Sequence, residues 1–298
     1  MKKSLLVLGI SALAVALPAS SALASPSKFQ RFDVGVVGGH GTAAKPKAIQ
    51  LKLHPFHEYG TKGGPTNAGN KNTGGTLEVP FSTVFAYIYF DPAIVFNTNS
   101  FPGCDKTTVI NTPDDCPAGS RVDIASSASG MLRVKGGAPG AFAAWPKQPG
   151  FPANDLVNLE IKTFVENALT PGGAPVKDTL ALRVQSPVSG GVVIDGKLEN
   201  VVGPAKKFYT KRMKFSIPDG LISPAPTVVS QLVNFDSGVR AVSANGKPLV
   251  GLGACPKSKE LNFGYNADYT INTTRQSDGI HWLIGDTGKI ISKVVPCK

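Results

Sequence analysis

The sequence predicts an all-β protein, an antiparallel β-sandwich of immunoglobulin-like or jelly-roll-like form, on three observations. Apolar and polar residues alternate with period two in segment after segment. No stretch after residue 24 sustains a helical period. Glycine (33) and proline (24) are abundant in the 298-residue chain, as short strands joined by turns require.

Residues 1–24 read as a cleavable export signal. Met1-Lys2-Lys3 is a charged start, Leu5 to Leu17 an apolar run, and Ala22-Leu23-Ala24 a small-residue cleavage site. The run is short for a bilayer span and no stop-transfer charge cluster follows it, so no transmembrane anchor is expected. Residues 25–298 are expected to form an all-β secreted region, with a split near residue 200 into two sandwich domains as the alternative. The formal charge is +11, and loss of Lys2 and Lys3 leaves +9.

The first strand expected is Ala48 to Leu53. Gly60 to Gly75 is almost wholly Gly, Asn, Thr and Lys, with too little apolar surface to offset the entropy of ordering it, and is expected to be mobile. Val84 to Phe90 is apolar or aromatic on both faces and suits a central strand. Asp91-Pro92 ends it, because proline donates nothing to a ladder. Val122 to Val134 follows. Gly136 to Pro152 carries Phe142, Trp145 and Phe151 among Gly and Pro, an irregular segment expected to fold over a core edge.

In Leu156 to Val165, Leu159, Ile161 and Val165 share one face while Asn158, Glu160 and Lys162 share the other. Leu180, Leu182 and Val184 alternate with Ala181, Arg183 and Gln185 in the same way. Both read as half-buried antiparallel strands. Val192 to Glu199, Phe208 to Ile217, Val228 to Phe235, Leu261 to Thr273 and Ile280 to Val295 complete the set.

Four cysteines, Cys104, Cys116, Cys255 and Cys297, lie downstream of an export signal, where disulfides are the default state. No C-x-x-C spacing suggests a metal instead. If the last two strands form one long hairpin turning at Ser277-Asp278-Gly279, residues whose numbers sum to about 555 oppose each other. Cys297 then lies beside Ser258, Cys255 reaches the same open end, and Gly288 sits at a bulge or bend. A meander turning again at Asp286-Thr287-Gly288 would separate the two cysteines. Pairing Cys104 with Cys116 closes a loop rich in Asp, Thr and Asn, but four cysteines allow three connectivities and crossed pairing stays open.

Two stretches share a grammar of strand, proline, apolar pair and Cys-Pro turn. One runs from Tyr89-Phe90-Asp91-Pro92-Ala93-Ile94-Val95 to Cys116-Pro117, the other from Ser216-Ile217-Pro218-Asp219-Gly220-Leu221-Ile222 to Cys255-Pro256, which suggests an ancestral duplication. Through Pro102-Gly103-Cys104, Cys116-Pro117-Ala118-Gly119-Ser120-Arg121-Val122, and Cys255-Pro256 with a final Cys297, the chain resembles uncharacterised secreted proteins of high-GC Gram-positive bacteria. It departs from their pattern at Pro92, where Ala93-Ile94 replaces x-Gly-Leu, and at Asp123, where glycine is usual. The resemblance implies a β-sandwich and export, and no activity.

No G-x-S-x-G elbow, P-loop, H-E-x-x-H or dinucleotide fingerprint is present. No catalytic residue, metal ligand or cofactor is therefore assigned. Asp114-Asp115 reads as a solvated turn. His54 and His57, with Glu58 or His40, could share a metal only through a turn at Pro55, so they read as surface and loop-edge histidines.

The densest basic run is Lys206-Lys207-Phe208-Tyr209-Thr210-Lys211-Arg212-Met213-Lys214. Its lysines and Arg212 form a candidate docking strip for an anionic cell-wall polymer or glycan, or else a solvated face guarding a sheet edge. Nucleic acid is not an expected partner of an exported chain that carries no nucleic-acid module. Phe85, Tyr87 and Tyr89 share a strand face and suit either a sugar-stacking platform or inter-sheet core. Together these features imply a non-enzymatic secreted or cell-envelope-associated protein. A secreted carbohydrate-active or hydrolytic enzyme with a loop-assembled site, and a structural or adhesion module, are the alternatives.

Overall fold

The computed structural model describes residues 26–57, 59–61, 64–66, 81–124, 127–135, 142–144, 156–167, 176, 178–186, 189–224, 226, 228–271 and 273–298. Residues 1–24, expected to be an export signal, most of Gly60 to Gly75 and most of Gly136 to Pro152 lie outside them. The protein is all-β and antiparallel. One sheet contains β1 (Gln30–Val37), β2 (Gln50–His57), β3 (Phe81–Phe90), β4 (Ser127–Lys135), β5 (Phe142–Ala144), β6 (Leu156–Val165) and β7 (Thr179–Ser186). It continues with β8 (Ser189–Asn200), β9 (Lys211–Ser216), β10 (Val228–Val239), β11 (Glu260–Ile271), β12 (Asp286–Thr287) and β13 (Ile291–Pro296). The order across it is β1-β2-β10-β4-β6-β7-β8-β9-β3-β11, with β12 and β13 both paired to β11 and β5 to β4. Strands from either side of residue 200 interleave, β10 between β2 and β4, and β9 between β8 and β3.

The sheet curls until its ends meet. Ser27 N donates to Asp286 Oδ2 (2.7 Å), Gln30 Nε2 to Lys289 O (2.9 Å), Lys293 Nζ to Asp33 Oδ1 (2.5 Å) and His40 N to Lys298 O (2.9 Å). The two ends thus run side by side in the same direction, joined mainly through side chains. Inward-facing residues of the curled sheet, among them Phe32, Leu51, Ile88, Ile161, Leu182, Ile194, Met213 and Phe263, form one core. Each such side chain contributes about 1.5–3 kcal/mol on burial. Across this core the His57 ring lies 5.1 Å from Phe81, and its Nε2 bonds the Tyr269 hydroxyl at 2.9 Å.

The C-terminal hairpin keeps the expected register. Glu260 to Tyr265 face Pro296 to Ile291, and Asp268-Tyr269 face Thr287-Asp286, so opposed numbers sum to 556 and then to 555. Gly288, where a Cβ would meet the Gln30 amide at 2.5 Å, lies in the segment of this one-residue slip, and a second irregularity precedes the turn, where Arg275 faces Trp282 and the sum is 557. Cys255 and Cys297 are bonded, with Cα atoms 5.8 Å apart, and so are Cys104 and Cys116, at 5.4 Å. The expected strand Ile280 to Val295 is broken, because the chain bends at Gly285 and Gly288 to pack against Ile271 and Gln30. β1 was not anticipated, although Phe32, Val34 and Val36 alternate with Arg31, Asp33 and Gly35.

The two stretches with a shared grammar adopt different structures. Ile94–Phe96 is extended and pairs with Val250–Leu252, whereas Asp219–Ile222 is a helical turn. Cys116 bonds backwards to Cys104 and Cys255 forwards to Cys297. These unrelated positions remove the ground for a duplication.

Candidate functional site

The Cys104–Cys116 loop builds one wall of a solvent-facing region on the outer side of the sheet. Asp105 has the side chain and position of an N-cap, accepting from Thr108 N at 3.0 Å, and starts the short helix α1 (Lys106–Asn111). Cys104 N donates to Val165 O and Asn167 N to Cys104 O, which ties the segment to the end of β6. Val109 packs against Phe164, Ala181 and Val193, a second small core outside the sheet. Ala181 and Arg183 are therefore buried, a correction to the half-buried reading of β7. Arg183 Nε donates to Ile110 O at 3.3 Å.

Beside this helix, register places three rows of side chains across β8, β9, β3 and β11. Asp195, Ser216, Phe85 and Asp268 form the first, Lys197, Lys214, Tyr87 and Asn266 the second, and Glu199, Arg212, Tyr89 and Gly264 the third. Residues of opposite parity on β8 and β9, such as Leu198, Met213 and Phe215, enter the core. The outer charges are mostly matched. Lys106 Nζ reaches Asp195 Oδ1 at 2.7 Å, and Arg212 donates to Glu199 Oε2 at 2.8 and 3.0 Å. Lys197, which is exposed, and Lys214, directly opposite it, make no ion pair with any described residue.

The aromatic residues here are neither inter-sheet core nor bare platforms. Lys214 Nζ sits 4.2 Å from the Phe85 ring centroid and the Arg212 guanidinium 4.8 Å from that of Tyr87, both cation–π distances. The Tyr87 hydroxyl donates to Asp268 Oδ2 at 3.1 Å. Burial and that carboxylate raise its pKa, so it stays a protonated donor. Tyr89 is buried with Val201 and Tyr209. Tyr209 lies over Gly264, where a Cβ would meet its ring at 3.0 Å, and bonds Ser292 Oγ at 2.9 Å to close the other side of the region.

The basic run does not form one strip. Lys206 and Lys207 lie on a 3-10 turn, Gly203–Lys207, so β9 begins only at Lys211. Lys211 shares the core-facing parity of Met213, and only Arg212 and Lys214 reach the outer face. Lys197 was not singled out from the sequence. The alternation of Asp195, Lys197 and Glu199 marks it as outward-facing, but its juxtaposition with Lys214 comes from the register of two strands.

His54 and His57 do not converge. His54 bonds Asn234 Oδ1, and His40 bonds Gly41 O at an exposed turn. His57 corrects the surface reading: it is 1 % exposed, between Leu232 O and Tyr269. Asp114 and Asp115 are exposed on a 3-10 turn, and Glu58 lies outside the described residues.

Glu166, at the end of β6, is buried near α1. Burial, and then the Asp195 carboxylate, push its pKa up to about 7 against the opposing pull of Lys106. A small cavity in the core is lined almost wholly by apolar residues, among them Leu51, Phe90, Leu180, Met213 and Val250, and the hydroxyl of Thr98, which also lines it, is engaged by Asp178. Among the described residues no helix is long and apolar enough to cross a membrane. The chain matches no protein-family model, no curated protein and no solved structure.

Proposed function

We propose that the protein is an exported, non-enzymatic binding module of the cell envelope that holds an anionic polymer or glycan on its outer face, centred on Lys197 and Lys214. The observation that carries this reading is their register. Like charges directly opposite each other on adjacent strands are destabilising, and neither lysine has an ion-pair partner among the described residues, Lys214 resting instead on the Phe85 ring. A phosphate or carboxylate lying between the two ammonium groups would turn that cost into attraction. Phe85 and Tyr87, each with a cation over its ring, and the Asp268 carboxylate that accepts from Tyr87 lie along the same rows. The signal-like first 24 residues, two disulfides and a net positive charge support export and an anionic partner.

The test is retention on purified cell wall or teichoic acid as salt is raised. Retention should weaken steadily with ionic strength and fall about tenfold or more when Lys197 and Lys214 are both changed to Ala. Retention untouched by the double substitution would refute the site.

Glu166 favours a second reading, as a carbohydrate-active enzyme. A carboxyl whose pKa is pushed up to about 7, with the Asp195 carboxylate acting on it and Lys106 paired to Asp195 at 2.7 Å, has the character of an acid placed near a carboxylate. Turnover of a polysaccharide panel that is abolished in Glu166→Gln would establish it.

A further inference from the structure

We infer that the turn between β8 and β9 is a second contact site, one that docks onto the anionic headgroups of a lipid bilayer. It is independent of the outer-face site. The turn is anchored at its base: Val201 N donates to Thr210 O at 3.0 Å and Tyr209 N to Ala205 O at 3.1 Å, while Val201 and Tyr209 pack with Tyr89. From this fixed base two large apolar side chains face solvent, Val202 at 74 % exposure and Phe208 at 54 %. Lys206 and Lys207 stand between them, and Lys207 Nζ lies 5.5 Å from the Phe208 ring centroid.

The charge around these apolar groups decides the partner. Residues 201–211 contain three lysines and no acid, and the carboxylate nearest in sequence, Glu199, is paired with Arg212. Apolar side chains that enter the acyl boundary while adjacent ammonium groups meet phosphate are the combination that holds a protein to an anionic bilayer surface. A purely polymeric anion would use the lysines and leave Val202 and Phe208 in water. The turn is short, so it gives shallow, salt-sensitive contact.

The test places a reporter at the tip. In the full chain carrying Phe208→Trp, emission is compared with that of the parent on adding vesicles of phosphatidylglycerol or of phosphatidylcholine. Phosphatidylglycerol should shift the added emission to shorter wavelength, and brominated acyl chains should quench it. Lys206→Ala with Lys207→Ala in the same chain should weaken the partitioning roughly 25-fold, from the usual gain per basic residue near a charged surface. Lys197→Ala with Lys214→Ala should leave the shift unchanged, which separates this site from the outer face. No shift with phosphatidylglycerol, or an equal shift with phosphatidylcholine, would overturn the inference. So would an equal shift with dissolved polyphosphate, which would assign the turn to a polymer.

Discussion

Lys197 on β8 stands directly opposite Lys214 on β9, and each lacks a counter-ion among the described residues. This pair should behave in opposite ways in stability and binding assays. Lys197→Glu places unlike charges in register and should stabilise the fold by about 0.2–1 kcal/mol. The same substitution should abolish salt-sensitive retention on an anionic polymer. Denaturant unfolding and wall retention measured side by side check both halves, and a destabilised Lys197→Glu would remove the argument from register.

Two buried groups should give stability opposing dependences on pH. Desolvation holds His57 down to about 4, despite its bond to Leu232 O and with Arg31 adding a smaller push in the same direction. The unfolded chain takes up that proton near 6.5, so this contribution is lost as pH falls from about 6.5 to about 4. Glu166 works the other way. Its folded pKa of about 7 lies above the unfolded value, so stability is lost as pH rises from about 4.5 to about 7.

Between about pH 4.5 and 6.5 the two slopes, each about 1.4 kcal/mol per pH unit at most, offset one another. Glu166→Gln should uncover the histidine slope, and His57→Gln the carboxylate slope. Urea unfolding at several pH values between 4 and 7.5 measures both. Parallel profiles for parent and variants would count against these assignments.

The disulfides should differ in what they hold. Cys255–Cys297 spans 42 residues and Cys104–Cys116 spans 12, so the chain-entropy model gives about 4 and about 3 kcal/mol respectively. Loss of the shorter bridge should also free α1 and bare Phe164, Ala181 and Val193. Hydrogen exchange in Cys104→Ala with Cys116→Ala should therefore rise first at α1 and in the covered parts of β6 to β8, while β11 and β13 stay protected. Uniform acceleration would mean that the loop is no separate unit.

Gly264 leaves room for the Tyr209 ring. Gly264→Ala would put a methyl 2.8 Å from Ile290 Cγ2 and 3.0 Å from that ring, and should cost about 1–3 kcal/mol. The ring would have to leave Ser292 and loosen the base of the Gly203–Lys207 turn. A lower melting temperature together with greater solvent quenching of tyrosine is the expected signature, and an unchanged melt would show that Tyr209 relocates without penalty.

The long hairpin was legible in the sequence because it is local: Asp278-Gly279 marks the turn and Cys255 and Cys297 mark the open end, whereas the breaks in its second arm at Gly285 and Gly288 answer to Ile271 and Gln30. The burial of Ala181 and Arg183 was not legible, since it depends on a helix from a distant segment landing on their side of the sheet. Asp105, a capping residue ahead of Lys106 to Asn111, was the available signal for that helix. The juxtaposition of Lys197 with Lys214 is one step further removed. Alternation shows which way each lysine points, but only the pairing of β8 with β9 sets them face to face.

The seam at which the curled sheet closes has a mechanical meaning. Among the described residues β1 has a ladder on one flank and, on the other, mainly side-chain bonds to the segment that ends in β13, so a pull on its amino-terminal end is resisted chiefly by the ladder to β2. Strain would strip the first strand from β2 pair by pair and expose the inner surface from that side. The opposite lip of the slit is fastened by the Cys255–Cys297 bond, so the molecule would open like a cuff with one sewn edge.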